Sequence, residues 1–475
     1  MSEHAAVSIS KVLPRNSLDN HRRVAPALVV STIVSALAGF LFGYDNIVIS
    51  GAIHYLGVIF GLDAVGLGWA AGCALVGCLI GSAGAGGIAD RFGLKKSLYA
   101  CASCFALSSV IVWAAPTFTW YIAGRILGGI GIGAASIVAP MYIAEIAPAA
   151  VRGRLVVLYQ LGIVIGILSA VFVNMVIQRS GDEGWNLAHG WRLMFLAGGI
   201  PAVCFAAAIV FSKESPRWLM KVGREHQGLD VLTAINGQET GTAEAASIRE
   251  SLVQERGGIA KLFTGRFRVA LATGFVLAAF TQLSGITTVL SFLPEVLKAG
   301  DQNSNNSFFQ AVLVGVANVV FTCLAIWLVD KAGRKTLILV GTATQTLSLC
   351  GLGGLYLAHA VGPGVLIGIM LFVAGHAVGN GAVCWVIISE SFPTRVRGVA
   401  ISIATSAIWI SAYLANQFFP LMQKHLGESG TFFFFSTMAL ANFMFVWTLV
   451  PETKGYALEE NAEIWRKRSK KRVTA

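Results

Sequence analysis

Long apolar runs recur along the whole chain of 475 residues, and they constrain its fold more than any other feature. A helix of about 20 apolar residues crosses the roughly 30 Å hydrocarbon core of a lipid bilayer. Charged residues make up only 12% of the chain, whereas a soluble protein of this length needs far more charge to cover its surface. The sequence therefore predicts an all-α membrane protein.

Hydropathy and helix-breaking residues divide the apolar runs into twelve predicted spans. These spans are 25–54, 64–89, 97–115, 118–143, 153–177, 191–212, 268–298, 308–329, 335–359, 364–391, 397–421 and 430–450. A polar stretch with amphipathic segments separates the sixth span from the seventh. The predicted organisation is a tail at 1–24, a six-helix bundle at 25–212, a linker with short helices at 213–267, a second six-helix bundle at 268–450 and a basic tail at 451–475.

Basic residues are distributed unequally between the connections. All but five of the 35 Lys and Arg residues lie in the two tails and in the connections that follow even-numbered spans. The positive-inside rule then places both tails and the linker in the cytoplasm. The net charge of +11 is therefore a signal of topology. The basic residues at 466–472 are expected to contact anionic lipid of the bilayer, and no nucleic-acid partner is predicted.

The two predicted bundles repeat one another. Three charged motifs of the first half occur again in the second half, in the same order and at corresponding helix ends. The matched segments are 90–96 with 330–335, 145–153 with 390–398, and 214–217 with 451–454. Duplicated bundles of this kind place the substrate path between them, near the middle of the bilayer.

Five motifs together resemble the sugar porter family of the major facilitator superfamily, and the resemblance covers nearly the whole chain. They are 124–125 (GR), 140–145 (PMYIAE), 214–219 (ESPRWL), 282–286 (QLSGI) and 451–455 (PETKG). The resemblance implies twelve transmembrane helices in two pseudo-symmetric bundles, the major facilitator fold. It also implies a bacterial inner-membrane protein that functions as a monomer and imports a sugar or polyol with protons by alternating access. No cofactor, metal or enzymatic chemistry is expected.

Two ionisable residues fall inside predicted spans, Asp45 in the first and Arg125 in the fourth. At about 1.5 Å per residue, both lie in the outer half of the bilayer. A charged side chain at this depth is costly, which makes a functional role the default interpretation. Because separation from an arginine favours protonation of an aspartate, we predict that Asp45 carries the transported proton. A static buried ion pair is the alternative.

A sugar requires neutral hydrogen-bonding groups and an apolar face on which its ring can stack. The resemblance assigns its contacts to Gln160, Gln282, Asn318 and Trp385. Additional predicted lining residues are Asn380, Ser389, Trp409, Tyr413 and Asn416.

The sequence departs from the family pattern in the seventh span. Thr281, Thr287 and Ser291 occupy positions where the family commonly has a glutamine, an asparagine and an aromatic residue. These shorter side chains are expected to line a cavity that is wider or differently hydrogen-bonded. The sequence therefore leaves open which pentose, hexose, polyol or larger sugar derivative is bound.

The repeated charged motifs are predicted to form ion pairs that join the two bundles when the inner side is closed. The resemblance implies this role for Asp90, Arg91, Glu145, Arg152, Glu214, Arg217, Asp330, Arg334, Glu390 and Arg397. Ordinary solvated helix ends are the alternative.

Three other functions stay open at this point. They are a proton-independent sugar facilitator with the same site, a membrane sugar sensor that does not transport, and a carrier of a non-sugar solute. His54 and His376 also lie inside predicted spans, but the sequence assigns no acidic partner to either of them.

Overall fold

The computed structural model describes residues 26–148, 151–254, 265–300, 304–360, 362–381, 383–384, 387 and 394–452, and within these ranges the chain is helical and has no strand. Eleven helical segments in this part of the chain are long and apolar enough to cross a membrane. The last of them, Ala400–Leu449, has 50 residues and is interrupted at Gly427, whose φ is 70°. It corresponds to two predicted spans, 397–421 and 430–450, which accounts for eleven segments where twelve spans are predicted.

Nineteen α-helices are described in chain order. They are α1 (Pro26–Ile47), α2 (Ile49–Phe60), α3 (Ala64–Phe92), α4 (Leu94–Trp113), α5 (Phe118–Ile146), α6 (Arg152–Arg179), α7 (Glu183–Trp185), α8 (Trp191–Ala197), α9 (Gly199–Phe211), α10 (Pro216–Lys221), α11 (Glu225–Asn236), α12 (Gln238–Gln254), α13 (Gly265–Leu283), α14 (Ile286–Ser291), α15 (Leu293–Gly300), α16 (Ser304–Ala332), α17 (Arg334–Leu357), α18 (Pro363–His376) and α19 (Thr394–Leu449). Short π-helical turns precede α8 and follow α18, at Asn186–Gly190 and Ala377–Gly381.

Glycines allow two pairs of helices in the first half to pack backbone against backbone. A Cβ atom added to Gly43 of α1 would lie 1.9 Å from the carbonyl oxygen of Ile163 in α6. A Cβ atom added to Gly129 of α5 would lie 1.9 Å from the carbonyl oxygen of Ala74 in α3. No larger residue fits at such a distance, which is the reason small residues are favoured where membrane helices cross. These contacts hold α1 against α6 and α3 against α5.

The seventh predicted span is interrupted and consists of α13, α14 and α15. Helix α13 ends before Gly285, which adopts the left-handed conformation with a φ of 85°. The ring of Phe435 lies directly beside this glycine, only 2.9 Å from the position that a Cβ would occupy. Left-handed backbone and lack of space both favour glycine at this position. The interruption changes the chain direction next to Gln282, one of the predicted sugar contacts.

The two halves touch each other on the outer side, meaning the side predicted to face away from the cytoplasm. The Gln417 side chain of α19 donates a 3.1 Å hydrogen bond to the carbonyl oxygen of Val65 at the start of α3. Gly315 of α16 packs against Leu168 of α6. One hydrophobic cluster contains buried residues of α2 together with residues of α14 and α15. Contacts of α3 with α19, of α6 with α16, and of α2 with α14 and α15 therefore close the outer side between the halves.

Candidate functional site

Asp45 and Arg125 form a direct ion pair between α1 and α5. The Arg125 Nη1 atom lies 2.9 Å from the Asp45 Oδ2 atom, and Nη2 donates a 3.0 Å hydrogen bond to the backbone carbonyl oxygen of Asp45. The Phe195 ring covers the guanidinium group at 5.1 Å from its centroid. The structure thus brings together the two ionisable residues that the sequence singles out inside the spans.

The two partners differ in their access to solvent. The Arg125 side chain is 1% exposed, whereas the Asp45 side chain is 15% exposed. A buried guanidinium group keeps its charge, since arginine is not deprotonated in proteins. Asp45 is therefore the more accessible member of the pair.

Three of the predicted sugar contacts keep free hydrogen-bonding capacity. Within the described part of the chain, the side chains of Gln160 on α6 and Asn318 on α16 make no hydrogen bond, and Gln282 on α13 makes one. Gln160 and Gln282 are half-buried and Asn318 is buried. An amide in an apolar surrounding that leaves donors and acceptors unused is suited to bind a polar ligand.

The three positions that depart from the family pattern are not equivalent. Thr287 is half-buried, and its hydroxyl donates a 2.7 Å hydrogen bond to Gln282 Oε1. Thr281 is buried, and its hydroxyl donates to the carbonyl oxygen of Leu277 at 2.9 Å. Ser291 is also buried. Of these three, only Thr287 makes a hydrogen bond to one of the predicted amides in the described part of the chain.

The remaining predicted lining residues differ in burial and in location. Trp409 is buried between the halves, with the ring of Phe42 at 5.7 Å, and its indole nitrogen has no partner among the described residues. Tyr413 is half-buried and packs against the outer part of α3. Asn380 and Asn416 have no exposed surface. Trp385 and Ser389 lie outside the described residues.

Asn380 and Asn416 therefore differ from the half-buried amides. The Asn380 Oδ1 atom accepts a 3.4 Å hydrogen bond from Asn442 of α19, and Asn416 donates to the carbonyl oxygen of Ala412 at 3.0 Å. Both contacts lie within the second half. A substrate role for these two residues stays a prediction, and it requires a state in which they are less buried.

On the inner side, Glu214 and Glu452 occupy equivalent positions in the two halves. Glu214 Oε1 accepts hydrogen bonds of 3.0 Å from the backbone N–H groups of Leu94 and Lys95 at the start of α4. Glu452 accepts hydrogen bonds of 3.0 Å from the backbone N–H groups of Arg334 and Lys335 at the start of α17. The first N–H groups of a helix lack partners within the helix, and a carboxylate there is also favoured by the helix dipole.

Other members of the inner clusters make contacts within the first half and the linker. Asp90 Oδ1 lies 2.8 Å from Lys221 Nζ, and the Ser215 hydroxyl donates to Glu145. The Arg91 guanidinium group lies over the ring of Phe92, 5.3 Å from its centroid. The side chains of Arg152, Asp330 and Arg397 and the whole of Glu390 lie outside the described part of the chain. The ion pairs between bundles therefore stay a prediction.

His54 is a contact between the halves that the sequence does not reveal. Its Nε2 atom lies 3.3 Å from Glu183 in the connection after α6, and its Nδ1 atom lies 3.8 Å from Glu295 of α15. The two carboxylates come from distant parts of the chain, so no local spacing could identify them.

The contact of Glu452, in contrast, has a signal in the sequence. Glu452 is the counterpart of Glu214 in the repeated motif.

Replacing Glu295 by glutamine is expected to weaken closure on the outer side, because it removes the carboxylate of the second half that faces His54. The imidazole is 37% exposed, and exposed ion pairs contribute only about 0.2–1 kcal/mol. The population of the outer-closed state should therefore fall by up to about fivefold relative to the open state. Glu183→Gln is the matched control, because it removes a contact within the first half.

Distances between spin labels on the two halves measure this effect. Labels at Val58, near the end of α2, and at Leu426, next to the interruption of α19, are both exposed and report the outer side. The exposed Cys204, Cys323 and Cys350 are first replaced by serine. Glu295→Gln should shift the distance distribution towards longer values, and Glu183→Gln should not. Equal distributions for Glu295→Gln and wild type would show that the contact between His54 and Glu295 does not stabilise the closed outer side.

The arrangement of the helices and of the polar side chains matches a known family. A model of that family, described as sugar (and other) transporter, matches residues 31–465, which is most of the chain. The chain belongs to the sugar transporter family. This membership confirms the resemblance found in the motifs, and it makes the protein a membrane transporter, not an enzyme.

Two relatives within the sugar transporter family are similar over almost their full length. The D-xylose-proton symporter of Escherichia coli (strain K12) is 38% identical over 473 residues, covering 93% of this chain and 96% of the symporter. The arabinose-proton symporter of Bacillus subtilis (strain 168) is 36% identical over 442 residues, covering 93% of this chain and 95% of that protein.

The same fold occurs in solved structures of the xylose transporter XylE from E. coli. The partially occluded inward open conformation of XylE is similar with a TM-score of 0.82 at 35% identity, covering 91% of this chain and 99% of XylE. XylE is a protein of the major facilitator superfamily. The predicted twelve-helix fold of two six-helix bundles is thereby confirmed for this sugar transporter family member.

Proposed function

We propose that this protein imports a sugar together with a proton by alternating access. The observation that carries the proposal is the ion pair of a partly exposed Asp45 with a buried Arg125. A membrane-embedded carboxylate of this kind can bind a proton on one side of the membrane and release it on the other. The relatives named as D-xylose-proton and arabinose-proton symporters support the same function, and xylose and arabinose are therefore the first candidate substrates.

We propose the bacterial inner membrane as the location, with both termini in the cytoplasm and the monomer as the functional unit. The distribution of basic residues supports this orientation. In this organisation 25–212 and 268–450 are the two moving bundles and 213–267 is the cytoplasmic linker. The basic tail at 451–475 lies next to anionic lipid.

The proposed cycle uses the amides for the sugar and Asp45 for the proton. Sugar and proton enter from the outer side, and protonation of Asp45 loosens its bond to Arg125. The bundles then close on the outer side through the helix contacts described above, and the site opens inward. Release of the proton restores the ion pair. Coupling requires that protonation of Asp45 and binding of sugar favour the same change of conformation.

Uptake by purified protein in liposomes tests this function. The panel contains xylose, arabinose, glucose and a polyol, with and without an inwardly directed proton gradient. We expect at least one sugar to accumulate above its external concentration only when the gradient is present. Interior acidification that accompanies uptake is the second expected result.

Different outcomes of this experiment separate the alternatives. Uptake that equilibrates without accumulation and ignores the gradient identifies a facilitator. Binding of sugar without any uptake identifies a sensor. Neither binding nor uptake of any member of the panel would contradict the sugar assignment.

A further inference from the structure

Gln282 and Thr287 meet across the interruption between α13 and α14. In a continuous helix, side chains three or four positions apart are neighbours, whereas side chains five positions apart point in different directions. The left-handed Gly285 turns the chain between these two residues. As a result, the Thr287 hydroxyl donates a 2.7 Å hydrogen bond to Gln282 Oε1.

This hydrogen bond sets the orientation of the Gln282 amide. A glutamine side chain has one carbonyl oxygen, which accepts, and one NH₂ group, which donates twice. Thr287 uses one of the two lone pairs of this oxygen, while Nε2 donates to no group in the described part of the chain. Both residues are half-buried, so the pair retains partial access to open space. Both donors of the amide therefore stay available, whereas one of the two acceptor positions on its oxygen is taken.

We propose that Thr287 is a positioning residue that acts through Gln282. It fixes the amide so that Nε2 donates to an oxygen of the sugar, and Thr287 itself does not contact the sugar. This inference rests on the proposed function of sugar transport. It also distinguishes Thr287 from Thr281 and Ser291, which are buried and make no hydrogen bond to this amide among the described residues.

Removal of the hydroxyl is expected to weaken sugar binding and to leave the transport step unchanged. In Thr287→Val the side chain keeps its shape, but the amide is no longer held in one orientation. From the usual contribution of one hydrogen bond, KM for the sugar should rise about three- to tenfold while kcat changes less than about twofold. Thr287→Ser keeps a hydroxyl and should restore KM to within about twofold of wild type. Thr287→Ala is a second variant without the hydroxyl.

The neighbouring threonine is a matched control. Thr288 is fully buried, and its hydroxyl has no partner among the described residues. Thr288→Val removes the same atoms one position along the chain without breaking a hydrogen bond. It should leave KM unchanged.

A double-mutant cycle in the full-length protein in liposomes tests whether Thr287 acts through Gln282. The KM of the sugar that wild type transports is measured for Thr287→Val, Gln282→Ala and the double variant. If Thr287 only orients Gln282, its replacement should have no further effect once Gln282 is alanine. Melting temperatures in detergent show that all variants are folded.

Two results would overturn the inference. One is a KM that rises by the same factor in the Gln282→Ala background, because Thr287 would then contact the sugar directly. The other is an unchanged KM in both Thr287→Val and Thr287→Ala. Failure of the proposed function is a separate result, since wild type itself would then transport no sugar.

Discussion

Replacing Asp45 by asparagine is expected to abolish accumulation of sugar against its gradient, while exchange of sugar across the membrane continues. Asparagine has a similar size but cannot carry a proton. A carrier that is permanently neutral at this position should move sugar downhill only. Uptake into liposomes with an imposed proton gradient measures accumulation, and exchange of labelled for unlabelled sugar without a gradient measures the sugar pathway.

The single variant leaves Arg125 buried without its carboxylate. Breaking a buried ion pair in this way typically costs about 3–5 kcal/mol, so the variant can lose activity through instability alone. The double variant Asp45→Asn, Arg125→Gln removes both charges and restores a neutral pair. It should also fail to accumulate sugar, with a melting temperature nearer to wild type than that of the single variant.

Asp63→Asn is the matched control for a loss of carboxylate charge. Asp63 caps the start of α3, where its side chain accepts a 2.8 Å hydrogen bond from the N–H group of Gly66. Asparagine caps helices about as well as aspartate, so coupling should not change. Gradient-driven accumulation that persists in the folded Asp45 variants would exclude Asp45 as the proton carrier.

Replacing Gly43 by alanine is expected to destabilise the first half strongly. The added methyl group would lie 1.9 Å from the backbone oxygen of Ile163, and no rotation of a side chain can relieve that overlap. Helices α1 and α6 must then separate, at an expected cost of about 3 kcal/mol. The measurements are the melting temperature in detergent and the yield of monodisperse protein.

Gly86→Ala in α3 separates this effect from the general preference of helices for alanine. A Cβ at Gly86 would have no heavy atom within 4 Å. Alanine should therefore stabilise the helix by up to about 1 kcal/mol at this position. Equal melting temperatures for the Gly43 and Gly86 variants would show that the contact between α1 and α6 is not as close as described.

The fold could be predicted from the sequence because the sequence signals that define the fold are local or repeated. Each span is a continuous apolar run, and the repeated charged motifs identify the two bundles. The eleven segments fall on the twelve predicted spans, with one segment covering two of them. Asp45 and Arg125 could be paired in advance because two ionisable residues at similar depth in one bundle have few other partners.

Contacts between distant elements could not be predicted in the same way. His54 lies near one carboxylate in the connection after α6 and another in α15 of the second half, and hydropathy carries no information on which helices touch. The sequence shows a glycine at position 285 but not its left-handed conformation. The hydrogen bond between Thr287 and Gln282 depends on that conformation and therefore could not be predicted. The burial of Asn380 depends on Asn442, which is far away in the sequence.

Glu214 and Glu452 have a consequence for the chain as a whole. Each glutamate follows the last membrane span of its half and binds the start of the third span of the same half, which is α4 or α17. In each half, a residue that follows the last span is thus hydrogen-bonded to an earlier helix of the same half. A break in the backbone after Gln254 would leave both of these contacts intact. Two separately synthesised fragments could therefore each complete their own half and assemble afterwards, as expected for a gene built by doubling one self-sufficient unit.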